Sequence, residues 1–349
     1  MISLINFVKT WGMDGAEAEA VHRVYPFGVS AYFQGLIREK GDPLWGQVAP
    51  DIAEIANLSG LVDPLAEEAL SPVPNLVHRY PNRVLWLVHT ECALHCRFCT
   101  RKRRWRTPVQ NDEHTIREAL RYIGGTPAVR DVLLSGGDPL LLPRDRLEFI
   151  LQGLRKAKNV EVVRIGTRLP GAFPRKITRG LASMLSRYHP VYINLHFNHP
   201  SEITPEAARA CGLLADAGIP LGSQTVLLKG INDSARVLGE LFQGLLRLRV
   251  RPYYLMQMDL ASGPAHFRTP VAAGLEILDS LRNRISGLAI PHFVIDLPGG
   301  QGKVPLVPKA IAEIGQGRMI LKNYLGKSCE YPLLEGEEEG LKRWAAANR

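Results

Sequence analysis

Residues 84–99 read Val84-Leu-Trp-Leu-Val-His-Thr-Glu-Cys92-Ala-Leu-His-Cys96-Arg-Phe-Cys99, a short apolar run followed at once by a C-x3-C-x2-C array. The run has the length and Val/Leu content of a buried strand, so the array falls on the loop that follows it. Three of the chain's five cysteines lie within these eight residues. A loop this short can fold back and point all three sulfurs at one metal centre. Structural zinc takes four protein ligands, usually as two separated pairs, and Cys211 and Cys329 are isolated. The array is therefore expected to hold an iron–sulfur cubane through three thiolates, leaving one iron open to a ligand. A chance grouping, or a zinc knuckle that recruits His95, is the plainer alternative.

Working outward, further apolar runs begin near Asp131, Val160, Val191, Leu221 and Arg251. Helix-like segments lie between them, at 112–123, 143–156, 204–217 and 233–246. Continuous Val/Ile/Leu runs about thirty residues apart, alternating with amphipathic stretches, predict βα units and a parallel sheet. Six units predict an α/β fold, a partial (β/α)6 TIM-like barrel with its chemistry at the C-terminal strand ends. A doubly wound open sheet is the runner-up, but no G-x-G-x-x-G follows the first strand. Residues 1–75, with helix-like stretches at 14–24 and 50–57 and a break at Ser71-Pro-Val-Pro, read as an N-terminal helical extension without chemistry of its own. The barrel is expected over 76–325 and a short C-terminal tail over 326–349.

The 349 residues, 46% hydrophobic and 22% charged, suit an ordinary globular protein with a large core. No apolar run reaches the length of a membrane span, and no basic region precedes the short apolar N-terminus. Clustered unpaired cysteines suit a reducing compartment, so a cytoplasmic protein is expected. The net charge of +9 raises the question of a nucleic-acid partner. Much of it is local, in Arg97, Arg101, Lys102, Arg103, Arg104 and Arg106 around the cysteine loop. Lys102 and Arg104 are expected in a solvated basic loop.

The polar residues gather at the predicted strand ends. Ser135-Gly136-Gly137-Asp138 closes the second run, where glycines permit close backbone approach to a ligand and Asp138 could receive an ammonium group, although a plain βα turn uses the same residues. His196 and His199 lack acidic or cysteine partners nearby and read as pocket-lining hydrogen-bonding groups. Asp296-Leu-Pro-Gly-Gly-Gln-Gly-Lys303 is a glycine loop bearing one lysine, without the spacing of a P-loop. Lys303 is either a surface lysine or a Schiff-base former with an aldehyde cofactor. Pyridoxal phosphate would find arginines for its phosphate in His78-Arg79-Tyr80-Pro-Asn-Arg83.

Cys92/Cys96/Cys99 with Thr100-Arg101, then Ser135-Gly-Gly-Asp138, Gln224, Asp259, His266-Phe-Arg-Thr and Asp296 to Lys303 together resemble the lysine 2,3-aminomutase family of radical SAM enzymes. The likeness runs from about residue 70 to 325. It implies an isomerase with a partial barrel, a [4Fe-4S] cluster, S-adenosylmethionine and pyridoxal phosphate. Cys92, Cys96 and Cys99 match the cluster ligands, and Ser135 to Asp138 the motif that binds the amino group of S-adenosylmethionine. Lys303 matches the catalytic Schiff-base lysine, and Arg79, Tyr80, Arg83 and Gln224 match positions around that cofactor. Arg101 matches the residue that binds the substrate carboxylate, and Asp259 and Asp296 the pair that holds the distal ammonium of lysine. A planar guanidinium suits a carboxylate, and two facing carboxylates need a cation between them. Lysine is therefore preferred to glutamate, with arginine open, and a structural ion pair is the plain reading of the two aspartates. A relative that modifies lysine for a translation factor would share the chemistry.

The resemblance also implies a flavodoxin- or ferredoxin-like electron donor and an oligomer. Better-known members bind zinc between subunits through a barrel cysteine and a cysteine-rich tail. Ser234 stands at the barrel position and the tail after Tyr331 has no cysteine, so no zinc is expected and a homo-oligomer stays open. A nucleic-acid-modifying radical enzyme tracking phosphates with residues 101–106 would have no need of Lys303 or the paired aspartates, so no nucleic-acid or membrane partner is expected.

Overall fold

The computed structural model describes residues 1–56, 60–107, 109, 111–306, 311–322 and 327–347. Residue 57 of the expected helix at 50–57, and residues 326, 348 and 349 of the expected tail, lie outside these.

Nine strands form one sheet in chain order: β1 (Leu76–Tyr80), β2 (Arg83–His89), β3 (Asp131–Gly136), β4 (Val162–Thr167), β5 (Val191–Leu195), β6 (Leu221–Leu227), β7 (Val250–Gln257), β8 (His292–Leu297) and β9 (Gly302–Pro305). Strands β2 to β8 run parallel, each beside the next. The six expected strands are β2 to β7, and β8 adds a seventh. Strands β1 and β9 pair antiparallel at the two edges. Both are short and lie next to glycine or proline turns, so neither gives the long Val/Ile/Leu run of a parallel strand buried on both faces. The result is a nearly closed α/β barrel, with β1 and β9 facing each other across the gap.

The helices form where apolar residues recur at 3.6-residue spacing. Arg144–Lys156 buries Leu147, Ile150, Leu151 and Leu154, and Ala235–Arg247 buries Leu238, Leu241, Phe242 and Leu245. Side-chain caps fix their starts: Asp112 accepts from Thr115 N ahead of Glu113–Gly124, and Ser234 accepts from Val237 N ahead of Ala235–Arg247. These barrel-facing sides meet the outward, helix-facing residues of the strands in one core around the fully buried Trp86, Phe197, Phe242 and Phe293.

Two parts lie outside the barrel sheet. The N-terminal region carries the helices Leu4–Trp11 and Gly15–Val24 and three single turns. A separate antiparallel sheet, β10 (Ile311–Gly315), β11 (Arg318–Lys322) and β12 (Ser328–Pro332), precedes the helix Glu337–Ala347. The boundary expected at 325/326 therefore falls between two paired strands. Among the described residues no helix is long and apolar enough to cross a membrane.

Candidate active site

The C-terminal ends of the parallel strands open into a cavity of about 460 Å³, within the range of small-molecule sites. The expected cluster, cofactor and substrate residues all line it, from Arg79 on β1 to Lys303 on β9, whereas His95 and His199 do not. Positions more than two hundred residues apart in the chain thus share one chamber.

The cysteine loop follows β2 at one end of the chamber. The backbone turns back on itself where Cys99 N donates to Cys96 O at 2.8 Å. The N-terminal region grips this loop: His95 N donates to Gly28 O at 2.7 Å and Arg97 N to Gln47 O at 2.9 Å. Arg97 is fully buried and forks onto Glu54, with Nη2 to Oε2 at 2.6 Å, and Lys102 Nζ reaches the same oxygen at 2.8 Å. The expected solvated position of Lys102 is therefore corrected, since it is 2% exposed and held by a buried carboxylate. The extension supplies the anion that makes its burial tolerable. Arg104 pairs at the surface with Glu68.

Burial pushes all three thiols up, Cys99 to about 11. Arg168 Nη1 sits 2.8 Å from Cys96 Sγ. Neutral thiols here gain little from such a donor, whereas thiolates ligated to iron suit it. Among the described residues no three His, Cys, Asp or Glu converge as around a single ion. A cubane asks for less, because each thiolate takes a different iron. The donor set fits a cluster.

Gly136 and Gly137 are required by contact as well as by conformation. A Cβ on Gly136, at φ +120°, would lie 2.3 Å from His89 O, and one on Gly137 2.4 Å from both Glu91 O and Thr90 O. Strand β3 thereby presses its end against the root of the cysteine loop. Asp138 does not offer its carboxylate to an ammonium group as expected. It accepts from Thr167 Oγ1, Arg168 N and Leu140 N at 2.7 to 3.1 Å. Burial raises it to about 6. It ties the end of β3 to the end of β4.

At the other end, across the gap between β1 and β9, Tyr80 Oη meets Arg79 Nη2 at 3.0 Å and Lys303 N at 2.9 Å. Arg83 stacks on the Tyr80 ring at 4.0 Å and has no ion-pair partner among the described residues. An unpaired guanidinium beside a tyrosine hydroxyl and a lysine suits a phosphorylated aldehyde such as pyridoxal phosphate. Arg79 also reaches Asp296, with Nη1 to Oδ1 at 2.9 Å, and Lys303 Nζ is ion-paired to the other oxygen of Asp296. Among the described residues Asp259 has no such partner; burial first, and Asp296 second, push it up to about 7. The two aspartates are thus unequal, one already neutralised by the site's own cations.

Several pocket residues escaped the sequence. Glu67 contacts Arg101, with Oε1 2.8 Å from Nε and 2.6 Å from Nη2. Tyr253 and Tyr254 join hydroxyls at 2.9 Å on β7. No periodicity or spacing marks the glutamate or the tyrosines. Of the two histidines expected to line the pocket, His196 does, stacked on Phe98 with burial driving it down to about 3, while His199 lies outside it and caps a turn through Ser201 N.

Residues 86–238 match the family model described as the radical SAM superfamily, and residues 278–341 the one described as lysine-2,3-aminomutase. An L-lysine 2,3-aminomutase of Fusobacterium nucleatum is 48% identical over 94% of this chain and 79% of its own length. That of Clostridium subterminale is 48% identical over 87% of this chain and 74% of its own. A glutamate 2,3-aminomutase of Clostridioides difficile is 42% identical over 87% and 72%. Among solved structures, a radical SAM methyltransferase from Sphaerobacter thermophilus covers 65% of this chain and 72% of its own, at 19% identity and a TM-score of 0.46.

Proposed function

The chain belongs to the L-lysine 2,3-aminomutase family of radical SAM isomerases, which use a [4Fe-4S] cluster, S-adenosylmethionine and pyridoxal phosphate, and from that premise we propose how its own residues interconvert L-lysine and β-lysine. One observation carries the choice of substrate: a single cavity presents the Arg101 guanidinium together with two carboxylates, Asp259 and Asp296. Such a chamber suits an amino acid with a carboxylate at one end and a cation at the other. A second substrate carboxylate would meet like charge, which disfavours glutamate.

When bound, the cluster and S-adenosylmethionine supply a 5′-deoxyadenosyl radical, and pyridoxal phosphate carries the amine as it moves from the α- to the β-carbon. Cys92, Cys96 and Cys99 hold the cluster. Ser135, Gly136 and Gly137 would form the backbone that holds S-adenosylmethionine, and Asp138 fixes that backbone. Arg79, Tyr80, Arg83 and Gln224 would position pyridoxal phosphate, and Lys303 would be the lysine that holds it. Asp259 and Asp296 would face the substrate's distal ammonium. Arg101 orients the substrate carboxylate so that the β-carbon faces the radical source, and such positioning governs rate as much as affinity.

The same reading assigns a low-potential one-electron donor of flavodoxin or ferredoxin type, a cytoplasmic setting, and a division into an N-terminal extension, a barrel and a C-terminal segment, and it leaves a homo-oligomer open. The test offers isotopically labelled lysine, arginine, glutamate and alanine together to reconstituted, reduced protein and reads isomers by mass spectrometry. β-Lysine is the expected product, abolished in Lys303→Ala and Asp296→Ala. Another dominant β-amino acid would overturn the substrate assignment while sparing the reaction class.

A further inference from the structure

The segment 60–70 lies across the cavity mouth and touches three of its loops. Leu61 N donates to Leu260 O at 2.7 Å and Ser262 N to Leu61 O at 2.9 Å, beside Asp259. Gly299 N donates to Pro64 O at 2.8 Å, in the loop that leads to Lys303. Just past these anchors the segment delivers Glu67, which is 4% exposed, to the loop carrying Arg101.

Glu67 accepts from Nε and Nη2 of Arg101, the side edge of the guanidinium, and Ser135 Oγ takes one N–H of Nη1 at 3.2 Å. A guanidinium has five N–H donors. One on Nη1 and one on Nη2 remain for a ligand. Ionisation of Glu67 is opposed by burial, but Arg101 alongside outweighs this and holds the carboxyl below the usual range. Arg103, itself paired with Asp63 at 2.8 Å, gives Glu67 a second cation.

Resting on the reading of Arg101 as the carboxylate clamp, we propose that Glu67 is a positioning residue that fixes the Arg101 guanidinium so that its two remaining N–H groups meet the substrate carboxylate. A flexible arginine would have to be ordered by the substrate on binding, at a cost in affinity. Held from its side edge by a buried carboxylate, Arg101 is ordered beforehand. The segment between the N-terminal helices and β1 is then part of substrate recognition.

The test measures binding of L-lysine and of cadaverine, which is lysine without its carboxylate, to holoenzyme through the absorption of bound pyridoxal phosphate. Glu67→Ala is expected to weaken lysine by about tenfold or more, the scale of one lost charge-assisted hydrogen bond. Cadaverine should stay within about twofold, as it makes no use of Arg101. Glu67→Gln, which keeps an acceptor without the charge, should fall between parent and alanine variant. Equal weakening of both ligands, or of neither, overturns the inference. Arg101→Ala separates the two layers: if it weakens lysine and Glu67→Ala does not, only the role of Glu67 fails, and if it has no effect the reading of Arg101 fails with it.

Discussion

Asp259 shows how a single side chain ties stability to function. Its carboxyl titrates at about 7 in the folded protein, against 3.8 when exposed, chiefly through burial and then through Asp296. Between those values the folded chain keeps a proton that the unfolded chain has lost. The stability this provides is fully present below pH 3.8 and is lost as pH rises through 7. Asp259→Asn is therefore expected to melt higher than the parent at pH 8 without substrate, with the difference vanishing toward pH 4. A variant that melts no higher at pH 8 would show that Asp259 carries no such burden. The same change should cost kcat/KM for lysine about 2–5 kcal/mol, the penalty of removing one partner from a buried charge pair. Asp259 was legible as a motif residue. Its inequality with Asp296 was not, because that depends on Arg79 arriving from β1.

At the scale of elements, the junction of β3 with the cysteine loop leaves no room for a side chain on Gly136 or Gly137. Gly137 admits no side chain, since the atoms a Cβ would strike are backbone carbonyls that cannot swing aside. Gly137→Ala should displace the loop and lower the iron retained per chain after reconstitution to less than half, roughly, given the strain of a few kcal/mol that must be relieved. Gly222→Ala on β6, whose nearest neighbour would be 3.6 Å away, should retain its iron. Equal iron in both variants would refute this account of the junction. The N-terminal region shows the limit of reading elements from sequence. The helix Gly15–Val24 was legible at 14–24, but Leu4–Trp11 was not, the stretch 50–57 holds only the turn Ala53–Ala56, and nothing marked Glu54 and Glu67 as buried against Arg97, Lys102 and Arg101. A lone glutamate in a polar stretch carries no mark of the cation it will meet.

At the scale of the whole molecule, the sheet stops short of closing, and the cofactor residues straddle the gap. Arg79 and Tyr80 stand on β1, while Asp296 and Lys303 stand on β8 and β9, linked by an ion pair and a hydrogen bond rather than by a strand ladder. A ligand held from both edges should brace the barrel. Pyridoxal phosphate at a hundredfold excess over its Kd is expected to stabilise the protein by about 2.7 kcal/mol, read as a rise in Tm that Lys303→Ala largely loses. An unchanged Tm in the parent protein would mean that the cofactor does not span the gap. The sequence by itself determined the parallel core of the barrel, the cysteine loop and the glycine-bearing strand ends, because these rest on periodicity and spacing within a few neighbouring residues. Only the tertiary structure decided the seventh parallel strand, the antiparallel edges and the partners of the buried charges. A buried ion is stabilised by whichever counter-ion the fold brings to it, and the curvature of the barrel, not adjacency in the chain, selects that counter-ion.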